Sequence, residues 1–212
     1  EGIEVISRGV SEGIFQDMLN TGIAAAAGAI ANVAAVTNDI TGGANATITQ
    51  VALNNTYAKF QDASQNIVCN VMNGISYHQL MNEALTNGAQ LFTAGNVQVL
   101  DIQGKRTVVT DAPALTNGVT DYRTLCLSQG GIVISNGGDV INTIGEDMSL
   151  SRAKTISHTD YTFGANVKGY AWDKTNGGAS PTDAEIATGT NWDQTATSIK
   201  HTAGTILIAD QS

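Results

Sequence analysis

Few side chains in this sequence could carry chemistry: three histidines, two cysteines and carboxylates scattered on loops. His78, His158 and His201 have no cysteine, histidine or carboxylate partner at a familiar ligand spacing, so no metal site is expected. His158 and Asp160, in TISHTDY, could orient a base toward Ser157 as in a hydrolytic triad. No nucleophile elbow or oxyanion loop accompanies them, and an exposed strand position is the simpler account. His78, beside Tyr77 on a helical stretch, fits packing or surface better than ligation. Cys69 (NIVCNV) and Cys126 (RTLCLS) lie in apolar runs, where a free cysteine behaves as a small buried hydrophobe. A nucleophile needs exposure and an activating base instead. A disulfide between the two is not expected. The 23 glycines form neither the phosphate loop nor the dinucleotide fingerprint. Asp121, Asp139, Glu146 and Asp147 fit no calcium loop and read as solvated turns. Asn45-Ala46-Thr47 and Asn54-Asn55-Thr56 are glycosylation tripeptides that carry little weight without a secretory signal. No catalytic, cofactor or metal residue is assigned, and the chain does not read as an enzyme. Trp172 (GYAWDK) and Trp192 (GTNWDQ) stand apart, each either a local core lid or an aromatic anchor of a subunit contact.

The elements that must position these residues follow from periodicity. Residues 11–36 read as one long helix with Ser11 as N-cap. Ile14, Met18, Ala26, Ile30 and Val33 form its stripe, widened by Phe15, Leu19 and Ile23. Its alanine run gives a thin rod, and Gly13, Gly22 and Gly28 each cost up to about 1 kcal/mol in a helix interior, which argues for close packing. Thr47 and Gln50 fit a capping box for a helix over 48–62. A buried strand at 66–72 and a helix at 75–85 follow. Residues 97–102 and 106–110 suggest a hairpin around Gln103-Gly104, with Pro113 blocking further pairing. Strands are expected in TLCL and GIVIS, a loop over 136–145, and an exposed ribbon from Met148 to Trp172. Asn176-Gly177-Gly178 is a turn. Ser180-Pro181-Thr182-Asp183 opens a short helix with Pro181 at its first position, and TILIA (205–209) is a closing strand.

The totals agree with a folded, surface-sharing protein. At 212 residues the chain can bury a real core, and 42% hydrophobic content argues against disorder. Only 14% of residues are charged, against roughly 25% in typical soluble domains. Such a surface suits coverage by neighbouring copies. Net charge is −9, and no basic cluster exceeds Lys105-Arg106, which excludes strong direct nucleic-acid binding. No run approaches the ~18 apolar residues of a membrane span. The sequence starts at Glu1 without Met, as expected of a processed start or a segment of a longer product.

Three segments carry a resemblance. In FQDASQNIVCNVMNGISYHQLMNEAL (60–85), Asp62, Met72, Tyr77 and Leu80 match a segment of tailed-bacteriophage major capsid proteins, with Gln61 in place of Gly and Asn73-Gly74 in place of His-Ser. DIQGKRTVVTDAPAL (101–115) is similar to the hairpin that follows there, through Gly104, Val108, Asp111 and Pro113. SPTDAEIATGTNWDQ (180–194) resembles a segment near the family's C-terminus, with Pro181, Thr182, Glu185, Ala187, Asn191 and Trp192 in step. The resemblance implies an α+β chain of the Hong Kong 97 capsid type: a peripheral domain with a long spine helix, and an axial domain with a central sheet and flanking helices. Residues 1–49 would be peripheral with the spine helix, 50–140 axial, and 141–212 a return to the periphery with a β-ribbon. The family's N-terminal arm and extended loop would be absent from this sequence. The implied function is a structural subunit of an icosahedral shell of pentamers and hexamers around the DNA genome. Its partners would be its own copies, with decoration, portal or scaffolding proteins, and no membrane. Its place would be the virion, assembled in the cytoplasm of the bacterial host. No cofactor is implied. Candidate interface residues are Lys105 and Arg106, as rim ion pairs of about 0–1 kcal/mol each, together with Trp172 and Trp192. A tail-tube or adhesin-like surface protein is the alternative that the Thr/Asn/Gly-rich strands suggest.

Overall fold

A computed structural model describes residues 2–44, 46–86, 104–118, 120–147 and 154–210, without the side chains of 2–6, 146–147 and 154–155. Helix α1 runs Gly2–Ala31, so it starts well before Ser11 and ends before Val36. Ser11 is not its cap: the hydroxyl lies mid-helix and donates to the Ser7 carbonyl at 3.0 Å. The helix stops where Thr37 turns back, its Oγ1 donating to the carbonyls of Ile30 (3.2 Å) and Val33 (3.0 Å). That hydroxyl satisfies carbonyls that a helix end leaves without partners, and the β-branched Val36-Thr37 enters a sheet instead as β1 (Thr37–Asp39).

Helix α2 is shorter than the pattern suggests, spanning Gln50–Ala58. The cap is Thr49, not Thr47: its Oγ1 accepts from Ala52 N at 3.0 Å, and the Gln50 N–H goes to Glu83 at 2.7 Å. Gln61, with φ 56°, breaks the helix and leads into a 3-10 turn over Gln61–Asn66. Strand β2 (Ile67–Met72) and helix α3 (Gly74–Thr86) follow, α3 being capped by Asn73 Oδ1 on Ser76 N at 2.8 Å. Strand β3 (Arg106–Val109) is not the second arm of a described hairpin. It pairs in parallel with β2, and the expected arm at 97–102 lies outside the described residues. Pro113 opens a 3-10 turn that leads directly to β4 (Thr116–Asn117), so it does not end the pairing.

Strand β5 (Asp121–Ser128) completes the scaffold with the last strand, β12 (Gly204–Asp210). The sheet order is β1-β12-β5-β2-β3, with β4 on β5. The outer pairs β1/β12 and β2/β3 are parallel, and the central ones are antiparallel. Register places Asn70, Cys126 and Thr205 on one face and Val71, Leu125 and Ile206 on the other. Helix α2 lies on the first face: Tyr57 OH donates to Asn70 at 3.0 Å, and Asn38 Nδ2 donates to Thr56 at 3.0 Å. The C-terminal part of α1 lies on the second face, tied through Thr37, which stands opposite Ile206. The central strands β5 and β12 are therefore buried on both faces, and Leu125, Ile206 and Leu207 have no exposure. The two cysteines are free. Cys126 lies opposite Asn70 while Cys69 lies opposite Leu127, so the alternation of a strand points their thiols to opposite faces.

Several of the remaining elements pack against α1. Strand β6 (Ile132–Asn136) pairs with β9 (Phe163–Val167), not with β5, and its Ile134 reaches Gly22. Residues 141–147 are not loop: β7 (Ile141–Asp147) and β8 (Lys154–Asp160) form an antiparallel ribbon. Strand β10 (Tyr170–Trp172), helices α4 (Lys174–Gly177) and α5 (Asp183–Ile186), and strand β11 (Trp192–Gln194) complete the chain. The expected turn at 176–178 is largely the end of α4, and Pro181 precedes the α5 cap, Thr182, instead of opening the helix. Helix and sheet are thus mixed, an α+β chain.

The alanine run is explained by this packing. Every residue from Thr21 to Ile30 is buried, and a Cβ on Gly28 would stand 2.6 Å from the Ile186 carbonyl oxygen. Gly28→Ala should lower stability by about 1–3 kcal/mol, because backbone must shift. Gly13→Ala, whose Cβ would meet nothing within 4 Å, should raise it by up to about 1 kcal/mol. Thermal unfolding of the two variants checks this, and equal shifts would reject the close-packing account.

Candidate functional site

A concavity lies between the middle of α1, the start of β9 and the segment from Trp172 to Trp192. It is a cleft of ≈ 660 Å³ walled by Tyr161, Phe163, Trp172, Pro181, Ile186 and Trp192. Asp17 and Thr21, one turn apart on α1, present side chains from the same face. Tyr161 OH donates to Asp17 Oδ2 at 2.6 Å, and Thr21 Oγ1 donates to Asp183 Oδ1 at 2.8 Å. These two bonds fasten the long helix to the link between β8 and β9 and to α5. Tyr161 and Phe163, two apart on an extended segment, share a face and stack at 6.0 Å between ring centroids.

The far wall is a self-bound knot. Thr182 Oγ1 caps Glu185 N while Glu185 Oε2 accepts from Thr182 N at 2.7 Å, a reciprocal capping box. The amide hydrogen bond from Thr182 holds the Glu185 carboxyl below the usual range. Asn191 Nδ2 donates to the Glu185 carbonyl at 2.9 Å, and Trp192 Nε1 donates to the Ile186 carbonyl at 2.8 Å. Thr182, Glu185 and Asn191, residues the C-terminal motif singles out, thus satisfy one another's polar atoms, and Trp192 satisfies the Ile186 carbonyl beside them. Trp172 meets Trp192 edge to face at 5.1 Å, and its Nε1 donates to the Gly178 carbonyl at 2.9 Å. Its ring covers Gly177 so closely that no Cβ fits there.

The four interface candidates therefore fall in different settings. Trp192 is buried and Trp172 half-buried, paired as one wall of the cleft. Lys105 is held within the chain: Nζ donates to the Ile67 carbonyl at 2.7 Å and the Ser64 carbonyl at 3.3 Å, over the Tyr57 ring at 5.0 Å. It caps the end of the 3-10 turn instead of reaching out for a rim ion pair, and burial lowers its pKa. Arg106 beside it is exposed. Sequence reasoning passed over Asp17, Tyr161 and Phe163. The spacing Tyr161-x-Phe163 was a readable signal, obscured by the polar residues around it.

The catalytic arrangements that the sequence offered are not assembled among the described residues. His158 and Asp160 share one face of β8, but Ser157 alternates to the other and donates to Asn142 at 3.1 Å, so the triad cannot assemble. Burial raises the Cys69 thiol, opposite to what a nucleophile needs. The carboxylates of the cleft already accept hydrogen bonds. Among the described residues no group of three or more His, Cys, Asp or Glu could hold a metal, and no helix is long and apolar enough to cross a membrane.

Two other surfaces stand open. Phe15 and Leu19, on the side of α1 away from Asp17, are 72% and 42% exposed. On the ribbon, Ile141 and Ile156 are 61% and 44% exposed.

Compared with known families, residues 1–206 match the family described as Gp13-like, Major capsid protein 13-like. No curated protein matches the chain.

The Asp17 bond pushes the Tyr161 pKa up to about 12, with burial adding to it. The folded state then holds this proton more tightly than the unfolded chain, so the contribution is complete below the ordinary tyrosine value near 10 and fades as pH rises toward 12. Tyr161→Phe should lower the unfolding temperature at neutral pH and flatten its decline above pH ~10 relative to wild type. Parallel declines would show that Tyr161 contributes nothing to the alkaline limb.

Proposed function

The chain belongs to the Gp13-like major capsid protein family, and from that premise we propose how it works as a shell subunit. The family makes it a structural component of the bacteriophage virion, one whose role is self-association. We infer that it takes the Hong Kong 97-type fold, tiles into pentamers and hexamers, and encloses the DNA genome in an icosahedral shell. On this reading α1 is the spine helix. Residues 1–49 and 141–212 are peripheral and 50–140 axial, although β1 and β12 cross these boundaries to join the central sheet.

The observation that carries the reading is the division of α1. Its C-terminal third is shut inside the chain, while the preceding turns offer Phe15 and Leu19 to water. Most helical stability in proteins comes from packing, and the Phe15–Leu19 side of these turns stays exposed while the opposite side is tied through Asp17. A neighbouring copy supplies that packing. The low charge fraction fits the same need, and the net charge of −9 suits an inner surface that does not grip packaged DNA. Arg106, exposed on β3, and Trp172, at the cleft, are the interface candidates we retain. Decoration, portal or scaffolding proteins would complete the assembly in the cytoplasm of the bacterial host.

Expression of the protein followed by negative-stain imaging tests this directly. Round shells or ring-shaped capsomers of five and six copies are expected. A compact monomer that stays single at high concentration would sink the proposal, and tubes without shells would favour a tail-tube role.

A further inference from the structure

We propose that the β7–β8 ribbon of one copy lies along the outer face of α1 of a second copy, Ile141 and Ile156 meeting Phe15 and Leu19. The inference rests on the self-association proposed above and names the surfaces that carry it.

The ribbon is incomplete by itself. Among the described residues β7 and β8 pair only with each other, which leaves both outer edges open. A lone two-stranded hairpin is marginal in water, and open edges invite pairing with another chain. The register puts Ile141, Thr143, Gly145, Ile156, His158 and Asp160 on one face. Gly145 stands opposite Ile156, and a Cβ there would meet nothing within 4 Å. That face therefore has two exposed isoleucines and an open notch beside one of them.

The helix offers a matching stripe. Arg8, Glu12, Phe15 and Leu19 follow at steps of four, three and four residues, which keeps them on one side of a helix. Arg8 and Glu12 pair with each other at 2.9 Å, and all four are exposed. At ~1.5 Å per residue the stripe is about 17 Å long. A seven-residue strand at ~3.3 Å per residue reaches about 23 Å, enough to cover it.

The ribbon of the same chain cannot reach this stripe. It leads into Tyr161, which binds Asp17, and Phe15 and Leu19 lie two residues either side of Asp17, about 160° away round the helix. The ribbon therefore starts on the wrong side of its own α1, and a second copy must supply the contact. Each copy gives one ribbon and one helix, a head-to-tail arrangement that forms rings when its rotation closes.

The test uses full-length chains in a Cys69→Ser background. Phe15→Cys chains are mixed with Ile141→Cys chains, assembled and gently oxidised, with Asp193→Cys chains replacing the Phe15→Cys chains as control. Disulfide-linked dimers are expected from the first mixture only. In parallel, the double variant Ile141→Asp and Ile156→Asp should keep the wild-type circular dichroism and unfolding temperature but need at least about tenfold more protein to assemble, a loss of about 1.4 kcal/mol. Particles that form without cross-linking, or a charged variant that assembles at the wild-type concentration, would overturn the ribbon contact and leave the shell proposal standing. Wild-type chains that never assemble would overturn both.

Discussion

The closeness with which the inner part of α1 is approached from every side is the constraint on which the rest of the structure depends. A helix buried all round can be built only from residues that let other backbones come near, and the stretch from Thr21 to Ile30 is made of alanine, glycine and isoleucine with one threonine. The α5 carbonyls arrive against Gly28, Ile134 arrives against Gly22, and the sheet closes through Thr37. A larger side chain at the contact would hold off the C-terminal segment, and the cleft with its Trp wall would lose one side. Alanine stabilises here less by its own burial than by the proximity it permits.

The same closeness sorts the chain into inward and outward surfaces. Once β6, β9 and α5 occupy one side of α1, the Phe15–Leu19 side is left over, and the ribbon projects from the occupied side. The subunit is complete where small residues allow a chain to meet itself. It is open where larger apolar residues remain without a partner. That distribution is unusual for a protein meant to remain single, and usual for one built to be covered.

Much of the scaffold was legible. The central strands at 121–128 and 204–210 carry apolar runs because they are covered on both sides, and the apolar run at 67–72 reads the same way although Val68 stays exposed. The helix at 74–86 announced itself through Asn73-Gly74 and the spacing of Tyr77, Leu80, Met81 and Ala84. The boundaries of α1 were less readable. Ile3, Ile6 and Val10 continue the stripe of Ile14 and Met18, a signal passed over at 1–10, and the break after Ala31 depends on a hydroxyl that folds back from Thr37. Strand β7 was missed because Ile141 to Gly145 is exposed on both faces and has no alternation to detect. The pairing of β3 with β2 spans a long stretch of sequence, which no local pattern encodes. Of the cleft, the C-terminal knot was visible as a motif, and Trp192, read as a core lid or a subunit anchor, stands buried within it. The partners Asp17 and Tyr161 are far apart in sequence, and neither stands out alone. Lys105 was noticed for its charge, yet that charge serves the end of a turn inside the chain.

The placing of the two thiols on opposite sides of the sheet has a consequence for the subunit's covalent chemistry. Buried Cys126, its pKa raised to about 12 by desolvation, stays protonated, and Cys69 faces away from it. No disulfide can therefore close within one subunit, whether its surroundings are reducing or oxidising. The folded subunit is indifferent to redox potential in its described parts, and its interior offers an oxidant nothing to lock.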